Sequence, residues 1–567
     1  MESVEAKTPK YMVYCVLVTC ITSLSFGWVI GSPNVPGEIT HNCPTGNAHL
    51  SSKVFPDCLP MSTFLWAFAV ASFCLGGLVS ALMCAFLQTK LGRKRTIILS
   101  NVGFVVGSAL IGVSLVPGMF IAGRIICGLS CGLCSMVIPT YIGEISTIRA
   151  RGAMGCYHQF FVAMGIFLST LIGMFLSRVP LWRINYGLAG IPALVQTILM
   201  ITCVESPRWL ISVNRIDDAH YALQKLRGSC NIDREFYEIV EGQIGAAGAT
   251  SALKDVDTPY QHRKSLAASA QETLVEKPRM KEEKDVDASD DDDDENQRLD
   301  ASLPEKQEDV DDSDRARGDH HDDAADDDDD EEMMGTGGGE KKRPKEQQMS
   351  IRLVLRDPVL RRMAMTLVFL SILQQFLGLS AVLYYSSMVY AAVYDTASSP
   401  HSIGMPDIMS TVDAAVFLVV TIVAVALMDR MGRRPLLLMS EAGVVLFSVV
   451  VFLGSFFHLP ALLVVGLMMY VAMFALGMNP IPWLLTIDMC PTYASSTIGS
   501  MTITVNWTVN FVVALFFPVV FAAIQGYTFL IFAGVGLISL AFTWFYVPET
   551  KNRSIESVVR EFEKYRR

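Results

Sequence analysis

MCPTYASSTIGSMTITVNWTVNFVVALFFPVVFAAIQGYTFLIFAGVGLISLAFTWFYVP, from Met489 to Pro548, is a stretch of 60 residues without Asp, Glu, Lys or Arg. A helix needs about 20 apolar residues to cross the hydrocarbon core of a bilayer. The stretch is therefore long enough for two spans, which we expect to be separated around Gln525 and Gly526. Its length and composition predict a membrane protein rather than a soluble core.

Ten further apolar runs of spanning length lie outward from this stretch. The first run lacks a small-residue cleavage site before Pro33, so we interpret it as a span and not as a signal peptide. A hydrophobic content of 51% and a mean hydropathy of +0.39 agree with this interpretation. We predict an all-α membrane protein with twelve transmembrane helices in two six-helix bundles. The ten runs lie near residues 12–31, 62–88, 98–117, 119–143, 153–177, 185–204, 363–391, 408–428, 435–457 and 460–487.

Short motifs repeat between the two predicted halves. Gly92-Arg93-Lys94 follows the second span, and Gly432-Arg433-Arg434 follows the eighth. Each half also ends in a similar string, Glu205-Ser206-Pro207-Arg208 in the first and Pro548-Glu549-Thr550-Lys551-Asn552-Arg553 in the second. A parallel repeat of two bundles is the expected design of a transporter that rocks around a site near the midplane.

The distribution of basic residues in the short loops predicts the orientation. Basic residues cluster on one side of the spans, which is therefore expected to be cytosolic together with both termini. We expect the plasma membrane rather than an internal organelle, although the topology fits both. The basic side carries Lys90, Arg93, Lys94, Arg95, Arg149, Arg151, Arg430, Arg433 and Arg434, and the opposite side carries Lys53, Arg178 and Arg183.

A long acidic insert separates the sixth span from the seventh. Residues 241–348 hold 34 of the 56 acidic residues and 15 of the 45 basic ones, a local charge of -19 within a net charge of -11. Runs such as Asp290–Asp294 and Asp326–Asp330 repel themselves, which predicts a disordered, solvated insert. The alternatives are a low-affinity calcium sink and a docking tail for a basic cytosolic protein partner.

The chain is thus expected to have five parts. The predicted domains are an N-terminal six-helix bundle (1–206), a cytosolic helical segment (207–240), the disordered acidic insert (241–348), a C-terminal six-helix bundle (349–548) and a cytosolic C-terminal tail (549–567).

Most of the thirteen cysteines lie inside apolar runs, where a thiol behaves as a small hydrophobe. Cys43 and Cys58 differ, because they lie in the polar segment after the first span and can form an exofacial disulfide. Cys127, Cys131 and Cys134 share a helix face, but no His or acid lies beside them, so packing is favoured over a metal site. We expect no metal, no cofactor and no enzymatic activity, since no P-loop, ligand cluster or nucleophilic triad stands out.

Uncharged polar side chains interrupt several apolar runs. In hydrocarbon such groups mark either a water-filled path or a bond to a neighbouring helix. Amides, hydroxyls and indoles without permanent charge favour a neutral polyol as the ligand, with Trp supplying a flat apolar face. Gly477, Pro480 and Pro482 are expected to break the tenth span beside Trp483, and Gly378 to loosen the seventh. The polar residues include His158, Gln159, Gln374, Gln375, Ser380, Tyr384, Tyr385, Trp483, Asn506, Trp507 and Asn510.

Acidic residues alternate with arginines at the predicted cytosolic edge. We expect salt bridges between the two halves to hold an inner gate shut there. The alternative is the ordinary excess of basic residues on the cytosolic side, which explains the arginines but not the acids. The candidate gating residues are Arg93, Glu144, Arg151, Glu205 and Arg208 in the first half and Asp429, Arg433 and Asp488 in the second.

Taken in order, the strings of this chain resemble the sugar porter family of the major facilitator superfamily, and within it the facilitative glucose transporters. The resemblance covers nearly everything except the acidic insert. It rests on Tyr141-Ile142-Gly143-Glu144, Glu205-Ser206-Pro207-Arg208, Gln374-Gln375-x-x-Gly378, Asp429-Arg430-x-Gly432-Arg433-Arg434, Pro480-Ile481-Pro482-Trp483 and Pro548-Glu549-Thr550-Lys551.

The resemblance implies a hexose, of the glucose type, as substrate and assigns roles to individual residues. Gln159, Gln374, Gln375, Trp483 and Asn506 fall on the family's sugar-contacting positions. Its pocket and gate positions are occupied by Trp507, Asn510, Tyr384 and Tyr385.

Several positions depart from the family's pattern. Ser380, which we keep among the candidate sugar contacts, stands where the family usually has Asn, and Phe417 stands where another Asn contact is expected. Ala475 and Asn479 replace a Glu and a Gly. Asp413 lies four residues before Phe417, so it either shares that helical face and binds sugar hydroxyls or is a loop residue at the end of the eighth span.

Three mechanisms are compatible with the sequence. Proton-coupled relatives have an Asp after Phe-Gly-Tyr in the first span, whereas Phe26-Gly27-Trp28 is followed here by Val29, which favours passive uniport. A proton symporter that uses Asp413 is the first alternative, because intramembrane carboxylates serve as proton relays. The second is a non-transporting sugar sensor that signals through the acidic insert.

Overall fold

The computed structural model describes residues 8–43, 55–147, 150–228, 232–252, 351–394, 404–551, 553 and 555–564, and all of them lie in one compact unit of the chain. The described residues form helices without β-strands, as predicted. The aspartate runs of the acidic insert, and with them the proposed protein-partner and calcium functions, lie outside the described residues.

The first half begins with five long helices. The sixth span is divided into two shorter helices, and a short helix follows the first span. The elements are α1 (Lys10–Gly31), α2 (Gly37–His41), α3 (Thr63–Leu91), α4 (Arg93–Gly112), α5 (Pro117–Ile145), α6 (Arg151–Leu176), α7 (Trp182–Gly187) and α8 (Gly190–Met200).

Three helices follow the first bundle and have a small core of their own, which includes Trp209, Leu223 and Phe236. They are α9 (Pro207–Ser212), α10 (Ile216–Arg227) and α11 (Asp233–Ala252). The last of these helices ends at residue 252, twelve residues beyond the predicted boundary at residue 240.

The second half contains the helices of the remaining six spans, together with one short helix before them and one after them. They are α12 (Ile351–Arg356), α13 (Pro358–Phe376), α14 (Leu379–Tyr394), α15 (Met405–Met431), α16 (Arg433–Phe456), α17 (Pro460–Leu476), α18 (Ile481–Met489), α19 (Thr492–Ile524), α20 (Thr528–Tyr546) and α21 (Ile555–Lys564).

Ten helical segments of the described chain are long and apolar enough to cross a membrane. The last, Thr497–Tyr546, contains most of α19 and all of α20, which are separated by a short 3-10 turn at Gln525–Tyr527. The pair α7 and α8 supplies the sixth span. The predicted number of twelve spans follows from these two observations.

The two halves meet along two pairs of helices. Helix α19 packs against α3, and α15 packs against α6. Two spans of the second half are interrupted. Gly378 separates α13 from α14 with a φ of +87°, and residues 477–480 separate α17 from α18, as the glycines and prolines predict.

Candidate functional site

Gln374 connects three spans of the second half. Its Nε2 donates to the carbonyl oxygen of Met478 at 2.7 Å, and its Oε1 accepts from Asn506 Nδ2 at 3.1 Å. The carbonyl is available because Met478 lies in the break between α17 and α18, where helical hydrogen bonding stops. The helix break predicted from Gly477 and Pro480 therefore creates the acceptor that orients Gln374.

Further polar groups surround this amide. Ser380 donates to Gln375 Oε1 at 2.8 Å across the break between α13 and α14. Tyr384 lies 3.4 Å from Asn510 Oδ1, and Tyr385 donates to the carbonyl oxygen of Ala514 at 3.1 Å. The seventh and eleventh spans are thus joined by uncharged groups that can exchange these bonds for bonds to a hydroxylated ligand.

Aromatic rings from the first half face this cluster. The indole of Trp507 lies 5.8 Å from the Phe73 ring and 6.2 Å from the Phe26 ring. Phe73 also contacts the Tyr384 ring edge-on at 5.6 Å. Trp507 is 5% exposed, and its Nε1 has no hydrogen-bond partner among the described residues. A buried donor without a partner is costly, so this N–H is available to a ligand.

Two of the predicted sugar-contacting side chains form no hydrogen bond with the cluster around Gln374. Gln159 on α6 and Trp483 on α18 are half-buried, and their side chains hydrogen-bond to no other described residue. The neighbouring His158 accepts or donates through Nδ1 to Ser23 Oγ at 2.7 Å.

The position of Asp413 in the eighth span differs from one of the two predicted alternatives. Asp413 lies in the third turn of α15 and is 2% exposed, so its interpretation as a loop residue is wrong. Helix α15 begins at Met405, before the predicted start near residue 408, and its first turns contain polar residues. Tyr390 donates to Asp413 Oδ2 at 2.8 Å, whereas Oδ1 has no described partner. Phe417 is 1% exposed and belongs to the apolar core.

The two ends of the spans carry different residues. Cys43 and Cys58 are joined by a disulfide, and the end of the spans near them is called the disulfide end. The opposite end, with Arg93 and Arg433, is called the arginine end.

At the arginine end, no ion pair among the described residues joins the two halves in this state. Arg93 pairs with Glu144 at 2.7 Å within the first half, and Arg433 pairs with Asp488 at 3.2 Å within the second. Arg151 and Arg208 form no ion pair with a described side chain. The side chain of Asp429 lies outside the described residues.

The remaining acids at this end have a different use. Glu205 accepts from the backbone N–H groups of Arg93 and Lys94 at 3.1 Å, and Glu549 accepts from those of Arg433 and Arg434 at 3.1 Å. Each carboxylate therefore satisfies the free N–H groups at a helix N-terminus. Burial raises the pKa of Glu205, although these N–H groups oppose the shift.

The glycines of the two repeated motifs fit the same geometry. Gly92 and Gly432 have φ values of +88° and +97°, in the region that only glycine adopts readily. A Cβ at Gly92 would lie 2.6 Å from Glu205 Oε2, and one at Gly432 would lie 2.8 Å from Glu549 Oε2. The repeat noted in the sequence is a repeated helix-capping turn.

The sequence reasoning misses two features. Asn34 joins the halves at the disulfide end, because its Nδ2 donates to Ser386 Oγ at 2.8 Å and its Oδ1 accepts from the Ser387 N–H at 3.0 Å. Arg124 is fully buried in the fourth span and donates to the carbonyl oxygens of Val29 and Val70 at 2.7 and 2.9 Å. A single arginine inside a long apolar run is the signal that could have identified the second feature.

The comparisons with known proteins agree with this architecture. A family model described as "Sugar (and other) transporter" matches residues 15–258 and 306–562. The rat facilitated glucose transporter member 3 is 27% identical over 98% of this chain and 94% of its own length. The human facilitated glucose transporter member 4 is 27% identical over 98% of this chain and 91% of its own length.

Solved structures show the same fold. The partially occluded inward-open xylose transporter XylE from E. coli has a TM-score of 0.64 at 20% identity, over 96% of this chain and 100% of that chain. The proton:xylose symporter XylE bound to 6-bromo-6-deoxy-D-glucose has a TM-score of 0.63 at 20% identity, over 98% and 100% of the two chains.

Proposed function

Because the chain belongs to the sugar (and other) transporter family, we propose that it carries a neutral hexose of the glucose type by alternating access and facilitated diffusion. Family membership confirms the resemblance drawn from the motifs and makes the chain a multi-pass membrane protein that transports sugar. The identity of the sugar, the absence of proton coupling and the binding residues are the proposed part.

The observation that carries the proposal is the uncharged cluster around Gln374. The cluster supplies amides and hydroxyls whose bonds to each other can be replaced by bonds to a sugar. Trp507 adds an indole N–H without a described partner and a flat face beside Phe73. A hexose needs several donors and acceptors together with an apolar face for its ring. Gln159 and Trp483, which are not engaged with described partners, are proposed to bind the sugar directly.

Alternating access is supported by where the halves are bonded to each other. Asn34 bonds to Ser386 and Ser387 at the disulfide end, whereas the ion pairs of the arginine end stay within each half. We propose that this state is open toward the arginine end, that this end and both termini are cytosolic, and that the protein lies in the plasma membrane.

Facilitated diffusion is supported by the first span. Arg124 contacts the backbone of Val29, and no carboxylate pairs with it among the described residues. A proton relay in a span needs an ionisable partner. The described part of the first half therefore offers no proton-carrying acid that pairs with its buried arginine.

Uptake by vesicles containing the purified protein tests the proposal. Labelled glucose, fructose and galactose are supplied with and without an imposed proton gradient, and Gln374→Ala serves as the impaired variant. We expect saturable entry of one hexose to the same final level in both conditions. Accumulation driven by the gradient would establish a symporter instead. Absence of flux with all three sugars, together with signalling lost on deletion of residues 245–345, would favour a sensor.

A further inference from the structure

Helix α14 is bonded on two sides near the disulfide end. One side contacts the first half through Asn34, as described above. On the other side Ser387 donates to Asp407 Oδ1 at 2.9 Å, and Tyr390 donates to Asp413 Oδ2 at 2.8 Å. Two carboxyl groups of the eighth span therefore hold the same helix that closes the disulfide end.

The same helix is bounded and interrupted by breaks in the helical backbone. It begins directly after Gly378, whose φ is +87°, and it is kinked at Tyr385, where φ is -136° and ψ is 15°. Residues beyond such a break can rotate without unwinding the rest of the span. The bonds of Ser387 and Tyr390 lie beyond both breaks. They therefore hold the part of α14 that follows Tyr385.

Asp413 differs from an ordinary helix-bonding residue. It is 2% exposed, one of its oxygens has no described partner, and no cation pairs with it in the described part of the chain. Burying a carboxylate in a span without a cation is costly, and such residues usually have a function.

The surroundings of Asp413 contain few groups that titrate or carry charge. Helices α6, α14, α16 and α17 pack against α15. The arginines among their residues lie at the arginine end, and Tyr390 is the group bonded to Asp413. The titratable or charged residues of these helices are Arg151, Cys156, Tyr157 and His158 on α6, Tyr384, Tyr385, Tyr390 and Tyr394 on α14, Arg433, Arg434 and Glu441 on α16, and Tyr470 on α17, together with Asp407, Asp429 and Arg430 on α15 itself.

We propose that Asp413 is a proton-binding site: the closed gate buries its carboxyl group, which favours the protonated form, and Tyr390 donates to that group to hold α14 shut as a latch. When the disulfide end opens, water reaches the carboxyl group, its proton passes to that water, and the carboxylate favours the open gate. Asp413 lies about 12 Å along the helix axis from the start of α15 at the disulfide end. Because the proton returns to the side from which it came, it sets the rate of transport and not the final distribution of sugar.

The direction of the pH effect follows from the linkage between proton binding and gate closure. The closed gate binds one proton more than the open gate, so acid on the disulfide side favours closure. The inference rests on the proposed hexose transport for this readout. Uptake should rise by about threefold or more between about pH 5 and about pH 8, within the limit of about tenfold per pH unit for one linked proton.

The chain offers a matched control in Glu441. This carboxyl group is also buried in a span, and it accepts from Ser539 at 2.6 Å and from Thr543 at 2.8 Å, but these partners lie on α20 and not on α14. A variant of Glu441 removes a similar acid without touching the latch.

Two measurements on the full-length protein in vesicles test the proposal. In the first, hexose entry is followed against external pH in the wild type, Asp413→Asn, Tyr390→Phe and Glu441→Gln. We expect the rise with pH in the wild type and Glu441→Gln, a flat profile in Asp413→Asn, and a smaller rise in Tyr390→Phe, which lacks the hydroxyl that donates to Asp413. The second measurement, infrared titration of the protonated carboxyl band without sugar, should lose one component in Asp413→Asn.

The outcomes separate this inference from the proposed function. An unchanged pH profile in Asp413→Asn, or an infrared titration identical to that of the wild type, would overturn the latch. Gradient-driven accumulation that Asp413→Asn abolishes would also overturn it, because the proton would then cross the membrane. Absence of hexose flux with an infrared component that depends on Asp413 would support the proton site and remove the transport proposal.

Discussion

Asn34 and Ser386 join the two halves of the chain, with Asn34 Nδ2 donating to Ser386 Oγ at 2.8 Å. The second amide atom of Asn34 accepts from the next residue along the same helix, Ser387. One side chain thus joins the end of the first span to the part of the seventh span that follows the kink at Tyr385. A bond between halves that exists in one state of a transporter biases the equilibrium toward that state.

Replacing Asn34 by Ala should shift the population toward opening at the disulfide end. Loss of two hydrogen bonds of about 1 kcal/mol each corresponds to a shift of about tenfold or more. The accessibility of an engineered cysteine near Ser386 to a membrane-impermeant reagent measures the shift. Asn42→Ala is the control, because Asn42 bonds to Glu38 within one half. Equal labelling of both variants would contradict the prediction.

Replacing Gln374 by Ala should raise the KM for hexose by about tenfold or more, because it removes a sugar contact and leaves buried polar partners unmet at about 1–3 kcal/mol. Gln196→Ala is the matched control. Gln196 is a buried amide that accepts from Asn101 inside the first half, so its loss should lower the yield of folded protein without changing KM. A similar KM for both variants would remove Gln374 from the site.

Double-mutant cycles should find the ion pairs of the arginine end within each half. Arg93→Ala and Glu144→Ala are expected to couple by about 0.5–3 kcal/mol in unfolding free energy, as contacting residues do. Arg93→Ala and Asp488→Ala should add within about 0.5 kcal/mol. Thermal unfolding of the purified variants gives these values. Strong coupling between Arg93 and Asp488 would contradict the prediction and show that these two residues interact across the halves.

The spans and their breaks can be predicted from the sequence for simple physical reasons. A bilayer demands about 20 apolar residues, and a cluster of glycine and proline such as Gly477, Pro480 and Pro482 can interrupt a helix, although the single prolines Pro139 and Pro518 lie inside continuous helices. The break at Gly477 and Pro480 can therefore be predicted from the sequence, whereas its purpose cannot. That purpose, the free carbonyl of Met478 for Gln374, requires a third span in the right place.

The partners of the polar side chains cannot be predicted in the same way. Glu205 lies in a string with arginines, which suggests a salt bridge, yet its oxygens cap the N-terminus of α4. Composition identifies an acid near several donors but does not say which donor it reaches. Arg124 is missed for the opposite reason, because one charge does not interrupt an otherwise apolar window. Side chains whose partners lie in another span depend on packing that a single sequence does not show.

The disulfide between Cys43 and Cys58 should stabilise the segment that follows the first span. It closes a loop with a sequence separation of 15 residues, and such a loop corresponds to about 3 kcal/mol of stabilisation in the chain-entropy account. Cys43→Ser, Cys58→Ser and the double variant should all lose the same stability. Thermal unfolding with and without reductant checks this, since reductant should affect only the wild type. Additive losses in the double variant would contradict a bond between the two residues.

The buried guanidinium of Arg124 should not tolerate lysine. Its Nη1 and Nη2 reach carbonyls of the first and second spans, and its Cζ lies 4.8 Å from the centroid of the Phe73 ring. Lysine offers a compact charge without this planar fork, so it cannot hold both carbonyls and stack on the ring. Phe73 in turn contacts Trp507, so the loss should reach the sugar cluster.

We expect Arg124→Lys to lower hexose transport by about tenfold or more, equivalent to the loss of one charged hydrogen bond of about 1.5–3 kcal/mol. Arg183→Lys is the matched control, because Arg183 also donates to carbonyl oxygens, those of Ser114 and Pro56, but near the disulfide end. Water can replace a lost bond there more easily than in the middle of a span. Uptake rates normalised to folded protein measure both effects, and equal tolerance at the two positions would show that Arg124 acts through its charge alone.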